Sequence, residues 1–99
     1  MAIWIDPSGE ETKALQAVTE WQGKKVIEIG CGDGRLTQRL ASLNPSMIEA
    51  LDTDKTLVGT ARINLPAEYV QKVKFQVGQA ESLKFKPGTF DTALFSWSL

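Results

Sequence analysis

The most constraining stretch of this sequence is Gly30-Cys31-Gly32-Asp33-Gly34, with glycine at alternate positions directly after the largely apolar run Lys25–Ile29. Glycine takes positive φ without steric penalty and lets another group approach the backbone where a Cβ would stand. A glycine-rich turn that ends a strand and opens a helix predicts an open α/β sheet, whose ligands sit beyond the carboxyl ends of the strands. The spacing also selects among ligands. The dinucleotide fingerprint G-x-G-x-x-G requires glycine where this chain has Arg35; the third glycine here is Gly34. A phosphate-binding P-loop requires Gly-Lys followed by Ser or Thr, which the sequence lacks.

The hydrophobic pattern around the loop agrees with that fold. Lys25–Ile29 reads as a strand, and Leu36, Leu40 and Leu43 mark a helix that ends near Asn44-Pro45. Met47–Leu51 is the next strand, closing on Asp52. Asp54 is placed to cap a helix carrying Leu57, Val58, Ala61 and Leu65, which Pro66 interrupts. Ala67 to Lys72 adds a further helical turn, and Val73–Val77 is the third strand. Pro87-Gly88 marks a turn, after which Thr92–Trp97 forms a fourth, nearly continuous apolar strand. Ahead of this series, Met1–Asp6 is short and partly apolar, and Asp6-Pro7-Ser8-Gly9 turns the chain. Ser8 and Glu11 fit a capping box; Ala14, Ala17, Val18 and Trp21 follow at helical spacing, so residues 9–22 are predicted helical. Residues 1–22 are then an N-terminal extension and helix on a single domain spanning 1–99. Strands alternating with helices imply right-handed crossovers and a parallel sheet. Apolar strands imply a sheet covered on both faces, a three-layer sandwich.

Composition removes several function classes. The net charge is −1, so no basic excess drives the chain onto a phosphate backbone and nucleic acid is not indicated. Histidine is absent, which removes the commonest general base and metal ligand; no metal site and no catalytic residue are assigned. Cys31 is the single cysteine, so no internal disulfide forms, in keeping with a reducing compartment. With no adjacent base, Cys31 reads as a small loop residue rather than a nucleophile. No run approaches the roughly 18 apolar residues of a membrane span, and no charged start precedes an apolar segment as in a signal peptide. The expected location is the cytoplasm, with no membrane partner.

Glu28-Ile29-Gly30-Cys31-Gly32-Asp33-Gly34, an acid two residues before a G-x-G-x-G loop, resembles motif I of class I S-adenosylmethionine-dependent methyltransferases. Three further segments stand in that family's order. Asp52 ends the second strand, about 20 residues past the glycines, where an acid binds ribose hydroxyls. Gly78-Gln79-Ala80-Glu81-Ser82-Leu83-Lys84-Phe85 is similar to the family's Gly-Asp-Ala-Glu-x-Leu-Pro-Phe segment. Phe90-Asp91 leading into TALFSWSL resembles the family's fourth strand and its exit. The resemblance covers Val26 to Leu99.

The resemblance implies a Rossmann-like fold of about four mainly parallel strands, truncated relative to the family's seven, and S-adenosylmethionine as cofactor. Gly30, Cys31, Gly32 and Gly34 would lie along the methionine part of the cofactor, and Glu28 would sit beneath them. Asp52 would take the ribose, with Thr53 beside the adenine. Gln79, in place of the family's Asp, and the backbone of Ala80 would meet the adenine. Ser96 would stand near the sulfonium. The Leu-x-Phe and FSWSL segments resemble small-molecule methyltransferases more than the Asn-Pro-Pro-Tyr type, so the acceptor is expected to be a small molecule. Two other outcomes stay open: a fragment that binds the cofactor without transferring a methyl group, and an orphan fold fragment that self-associates. In the family's sheet order, Thr92–Trp97 would have an unpaired outer edge, which invites pairing with a second copy.

Overall fold

The computed structural model describes residues 2–5, 17, 19–79 and 88–96. Five strands form one sheet: β1 (Ala2–Ile5), β2 (Lys25–Ile29), β3 (Met47–Asp52), β4 (Val73–Val77) and β5 (Thr92–Ser96). Their spatial order is β1-β5-β2-β3-β4, and each neighbouring pair runs parallel. Helix α1 (Arg35–Ala41) joins β2 to β3, and α2 (Lys55–Asn64) joins β3 to β4. A single 3₁₀ turn, Ala67–Tyr69, stands where a further helical turn was expected. The chain moves outward from β2 through β3 to β4, then returns to the other side of β2 as β5. The sheet therefore reverses direction at β2, and the crevice at such a switch point lies beyond the carboxyl ends of β2 and β5.

Register explains which side chains meet. In-register partners in a parallel sheet share a face, and successive residues alternate. The pairings Val26 with Ile48, Glu28 with Ala50 and Glu28 with Leu94 put these residues on one face. Both helices pack there: Leu36, Leu40 and Ala41 of α1 and Val58 and Ala61 of α2 join Val26, Ile48, Ala50, Phe75 and Leu94 in one core cluster. Ile27 and Leu51, of opposite parity, are buried as well, so β2 and β3 are covered on both faces, as their apolar sequences require.

The helix ends follow the local sequence. Asp54 caps α2, its Oδ1 accepting the N–H groups of Thr56 at 2.9 Å and Leu57 at 3.1 Å, which satisfies donors that a helix start leaves open. Arg62 in the last turn of α2 donates to the carbonyl of Phe75 at 2.8 Å, tying the helix to β4. Helix α1 ends at Ala41, earlier than Leu43 suggests; Asn44 follows with φ 63, a left-handed conformation that asparagine tolerates better than most residues.

The N-terminus departs from expectation. Ala2–Ile5 is a strand, paired in parallel with Ala93–Ser96 through Ala2 with Ala93 and Ile5 with Ser96. The outer edge of β5 is thus occupied, and the open edge on which self-association was expected is absent. Four residues are too few to show an alternating pattern, which is why sequence reading passed over this strand. Most of the predicted helix 9–22 lies outside the described residues: Ala17 is helical, whereas residues 19–22 are not, so that helix ends before Thr19. Trp97 also lies outside the described residues.

Candidate functional site

The loop after β2 takes its shape from its glycines. Gly30, Gly32 and Gly34 all have positive φ, at 85, 56 and 85°. At Gly30 the need is also spatial: a Cβ would stand 2.2 Å from the backbone oxygen of Ser96, so only glycine lets the end of β2 lie against the end of β5. The loop is anchored to β3 through Leu51, whose carbonyl accepts the N–H groups of Gly30 at 2.7 Å and Cys31 at 2.9 Å. Asp33 closes a local turn by accepting the N–H of Arg35 at 3.2 Å.

Asp52, the last residue of β3, binds both sides of the crevice. Its Oδ2 accepts the N–H of Gly32 at 2.9 Å, and its Oδ1 accepts the N–H of Asp54 at 2.8 Å. A carboxylate offers about four acceptor positions, so two bonds leave capacity for donors arriving from outside. Asp52 is partly exposed.

Beneath the loop lies Glu28, fully buried at 0% exposure. Its Oε1 lies 2.5 Å from Thr37 Oγ1 of α1, and its Oε2 lies 2.6 Å from Ser96 Oγ of β5. Ser96 Oγ also stands 3.1 Å from the carbonyl oxygen of Gly30. The cluster joins β2, α1, β5 and the glycine loop. Desolvation by burial pushes the Glu28 carboxyl above its ordinary value; the hydroxyls of Ser96 and Thr37 oppose that rise, and the charge of Asp52 adds to it. Cys31 is buried as well. Burial first, then the charges of Glu28, Asp52 and Asp33, push its thiol far above the ordinary cysteine range, so the sulfur stays protonated and unreactive.

The residues singled out by sequence separate into three groups. Glu28, Gly30, Cys31, Gly32, Gly34, Asp52 and Ser96 converge at the carboxyl ends of β2, β3 and β5. Thr53 and Gln79 are exposed at the carboxyl ends of β3 and β4; the N–H of Gly78 bonding to the carbonyl of Asp52 at 2.9 Å aligns these two ends. Ala80 and the segment 81–87 lie outside the described residues. Ser96 proves to be a buried partner of Glu28, 4% exposed. Sequence reading missed Thr37. Its signal is a hydroxyl on the apolar stripe of α1, buried beside Leu36, Leu40 and Ala41. Among the described residues no three of His, Cys, Asp and Glu cluster as metal ligands.

The comparisons with known proteins fit this geometry. The family described as methyltransferase domain matches residues 26–99. A ubiquinone biosynthesis O-methyltransferase of Methylococcus capsulatus is 29% identical over 98 residues, covering 89% of this chain and 41% of that protein. The chain thus spans about two fifths of the length of such relatives. Among solved structures, an S-adenosylmethionine-dependent methyltransferase of Mesorhizobium loti superposes with a TM-score of 0.73 at 22% identity, over 88% of this chain and 40% of that one. A Haemonchus contortus phosphoethanolamine N-methyltransferase, solved with phosphoethanolamine and S-adenosylhomocysteine, gives a TM-score of 0.73 at 20% identity, over 89% of this chain and 18% of that one. These likenesses show the fold. With the family match running through the glycine loop, the acid that ends β3 and the whole of β5, the chain belongs to the Rossmann-like methyltransferase domain family.

Proposed function

We propose that this chain forms the cofactor-binding part of an S-adenosylmethionine-dependent methyltransferase acting on a small-molecule acceptor. The observation that carries the reading is Asp52. It is fixed at the switch-point crevice by the N–H groups of Gly32 and Asp54, yet is partly exposed with unused acceptor capacity. A ribose diol supplies the two donors such a carboxylate takes. The loop of Gly30, Gly32 and Gly34 is assigned to the methionine part, although the spaces a Cβ would take at Gly30 and Gly34 are filled by Ser96 and by Ala61 and Phe75. Thr53 and Gln79, exposed on the adjoining strand ends, are assigned to the adenine side, and the sequence adds Ala80 to that assignment. The Gln79 amide oxygen accepts the adenine amino N–H without charge.

The cofactor supplies an activated methyl group on a sulfonium, and the protein's share of the work is placement of donor and acceptor. The residues here bind and orient the donor. No residue of the chain is assigned a role on the acceptor. The acceptor class rests on the O-methyltransferase relative and on the sequence around β5. No helix among the described residues is long and apolar enough to cross a membrane, and the reading places the protein in the cytoplasm, where Cys31 stays a free thiol.

Calorimetric titration with S-adenosylmethionine and S-adenosylhomocysteine tests the reading. Binding of both, lost on Asp52→Ala, supports it. Binding of neither to folded protein refutes it. Binding with no methyl transfer to any of a panel of catechols, phenols and amines favours the cofactor-holding role over the complete enzyme.

A further inference from the structure

The cluster under the glycine loop poses a counting problem. Three oxygen pairs stand at hydrogen-bond distance: Thr37 Oγ1 with Glu28 Oε1 at 2.5 Å, Ser96 Oγ with Glu28 Oε2 at 2.6 Å, and Ser96 Oγ with the Gly30 carbonyl at 3.1 Å. Three such contacts, each made with its own hydrogen rather than with one shared in a three-centre bond, need three hydrogens. Thr37 and Ser96 carry one hydroxyl hydrogen each, and a carbonyl carries none. If Glu28 were ionised, the Ser96 hydrogen would serve Glu28, and the Gly30 carbonyl would face a serine lone pair. A proton on Glu28 Oε2 completes the set: Glu28 donates to Ser96, Ser96 donates to Gly30, and Thr37 donates to Glu28 Oε1.

The surroundings favour the same state. Glu28 is wholly buried, and an ionised carboxylate without a cationic partner is costly there. The elements packed against it bring neutral hydroxyls, Thr37 from α1 and Ser96 from β5. The ionisable groups acting on it or beside it among the described residues are acids, Asp52 at the end of β3 and Cys31 in the loop. None of the influences on Glu28 is a cation.

We propose that Glu28 carries a proton in the ligand-free protein, donates it in a hydrogen bond to Ser96, and loses it to solvent when the loop above takes a cationic ligand. The second half rests on the reading of this loop as the S-adenosylmethionine site. The cofactor brings an ammonium and a sulfonium, and positive charge beside a buried carboxyl favours its ionised form. The carboxylate so formed then accepts from Ser96, whose hydrogen turns away from the Gly30 carbonyl. Glu28, Ser96 and Thr37 are positioning residues: they set the first turn of the loop and couple its occupancy to a proton.

Two measurements on the full chain test this. The first follows the side-chain carboxyl carbon of Glu28 by NMR against pH, assigned by its absence in Glu28→Gln. A midpoint well above the ordinary glutamate range supports the neutral state; a midpoint within that range overturns it. The second titrates S-adenosylmethionine at pH 7 in two buffers of different ionisation enthalpy. A buffer-dependent heat that reports proton release, absent in Glu28→Gln, supports the coupling. In that variant the amide N–H₂ donates to Ser96 without a proton to lose. Binding with the same heat in both buffers overturns the coupling while leaving the cofactor site intact. Absence of any binding overturns the cofactor reading and the coupling with it, and the carbon titration still decides the charge of Glu28. Should Glu28→Gln fail to fold, Ser96→Ala serves as the control: removing the acceptor of the Glu28 proton lowers the carbon midpoint, whereas removing a donor to an ionised carboxylate raises it, and a raised midpoint overturns the proposal.

Discussion

Asp52 Oδ2 accepts the backbone N–H of Gly32 at 2.9 Å, so the acid that ends β3 and the middle glycine of the loop after β2 form one unit. On the proposed reading, the carboxylate that takes the ribose also holds the loop that the cofactor must fit. That reading couples a structural and a binding role at this residue, and substitutions there separate them.

Asp52→Ala leaves the N–H groups of Gly32 and Asp54 without their side-chain acceptor. Both lie near solvent, so water replaces part of the loss, and we expect a destabilisation of about 1–2 kcal/mol, the lower part of the range for an orphaned donor. Asp52→Asn keeps one acceptor oxygen and is expected to lose less than half as much. Urea unfolding followed by circular dichroism measures both. Cofactor affinity is expected to fall by more than the stability loss implies, because the ribose loses its acceptor directly.

The glycines differ in what they tolerate. Gly30→Ala places a Cβ against the Ser96 carbonyl and forces a non-glycine residue into positive φ, so a loss of about 3 kcal/mol or more is expected. Gly23 also has positive φ, 73°, but nothing lies within 4 Å of its Cβ position; Gly23→Ala is expected to lose only the backbone strain, about 1–2 kcal/mol. Gly59, inside α2 with open space around it, is expected to stabilise by about 0.5–1 kcal/mol on Gly59→Ala. Thermal unfolding of the three variants ranks them, and the opposite sign at Gly59 is the sharpest comparison.

Burial raises the Glu28 carboxyl above its ordinary value of 4.5. Between 4.5 and the raised value, the folded protein keeps a proton that the unfolded chain has released. Stability therefore falls as pH rises through that window: the contribution is whole below 4.5 and lost above the folded-state value. Glu28→Gln removes this slope, so the variant gains on the wild type as pH rises. Denaturant midpoints at a series of pH values, wild type against variant, display the difference.

The pairing of β1 with β5 closes an edge. Proline lacks the N–H that a ladder requires, and alternate N–H groups of a strand point to opposite sides, so one of Ile3→Pro and Trp4→Pro breaks the pairing. That variant is expected to expose the outer side of β5 and to associate with itself more strongly than the wild type. Sedimentation velocity over a concentration series distinguishes them.

Much of this was legible in the sequence because it was local and periodic. The strands at Lys25–Ile29 and Met47–Leu51 are largely apolar runs and Val73–Val77 alternates apolar with polar residues, and the loop announces itself by alternating glycines. The cap at Asp54 and the acid at Asp52 follow from their places after a strand. What escaped depends on long-range pairing. Thr37 is an ordinary helix residue until α1 packs on β2 and turns its hydroxyl to Glu28. Ser96 reads as a residue at the crevice mouth, but the register of β5 against β2 buries it against the same acid. Ala2–Ile5 becomes a strand only because β5 offers an edge 91 residues away in the Ala2 to Ala93 pairing.

The central claim is that the crevice formed by the glycine loop and Asp52 binds S-adenosylmethionine, and isothermal titration calorimetry of the folded chain addresses it most directly. The account predicts one-to-one binding of S-adenosylmethionine and S-adenosylhomocysteine, at least tenfold weaker in Asp52→Ala. Folded wild-type protein that gives no heat with either ligand, or an Asp52→Ala protein that binds as well as wild type, would contradict it.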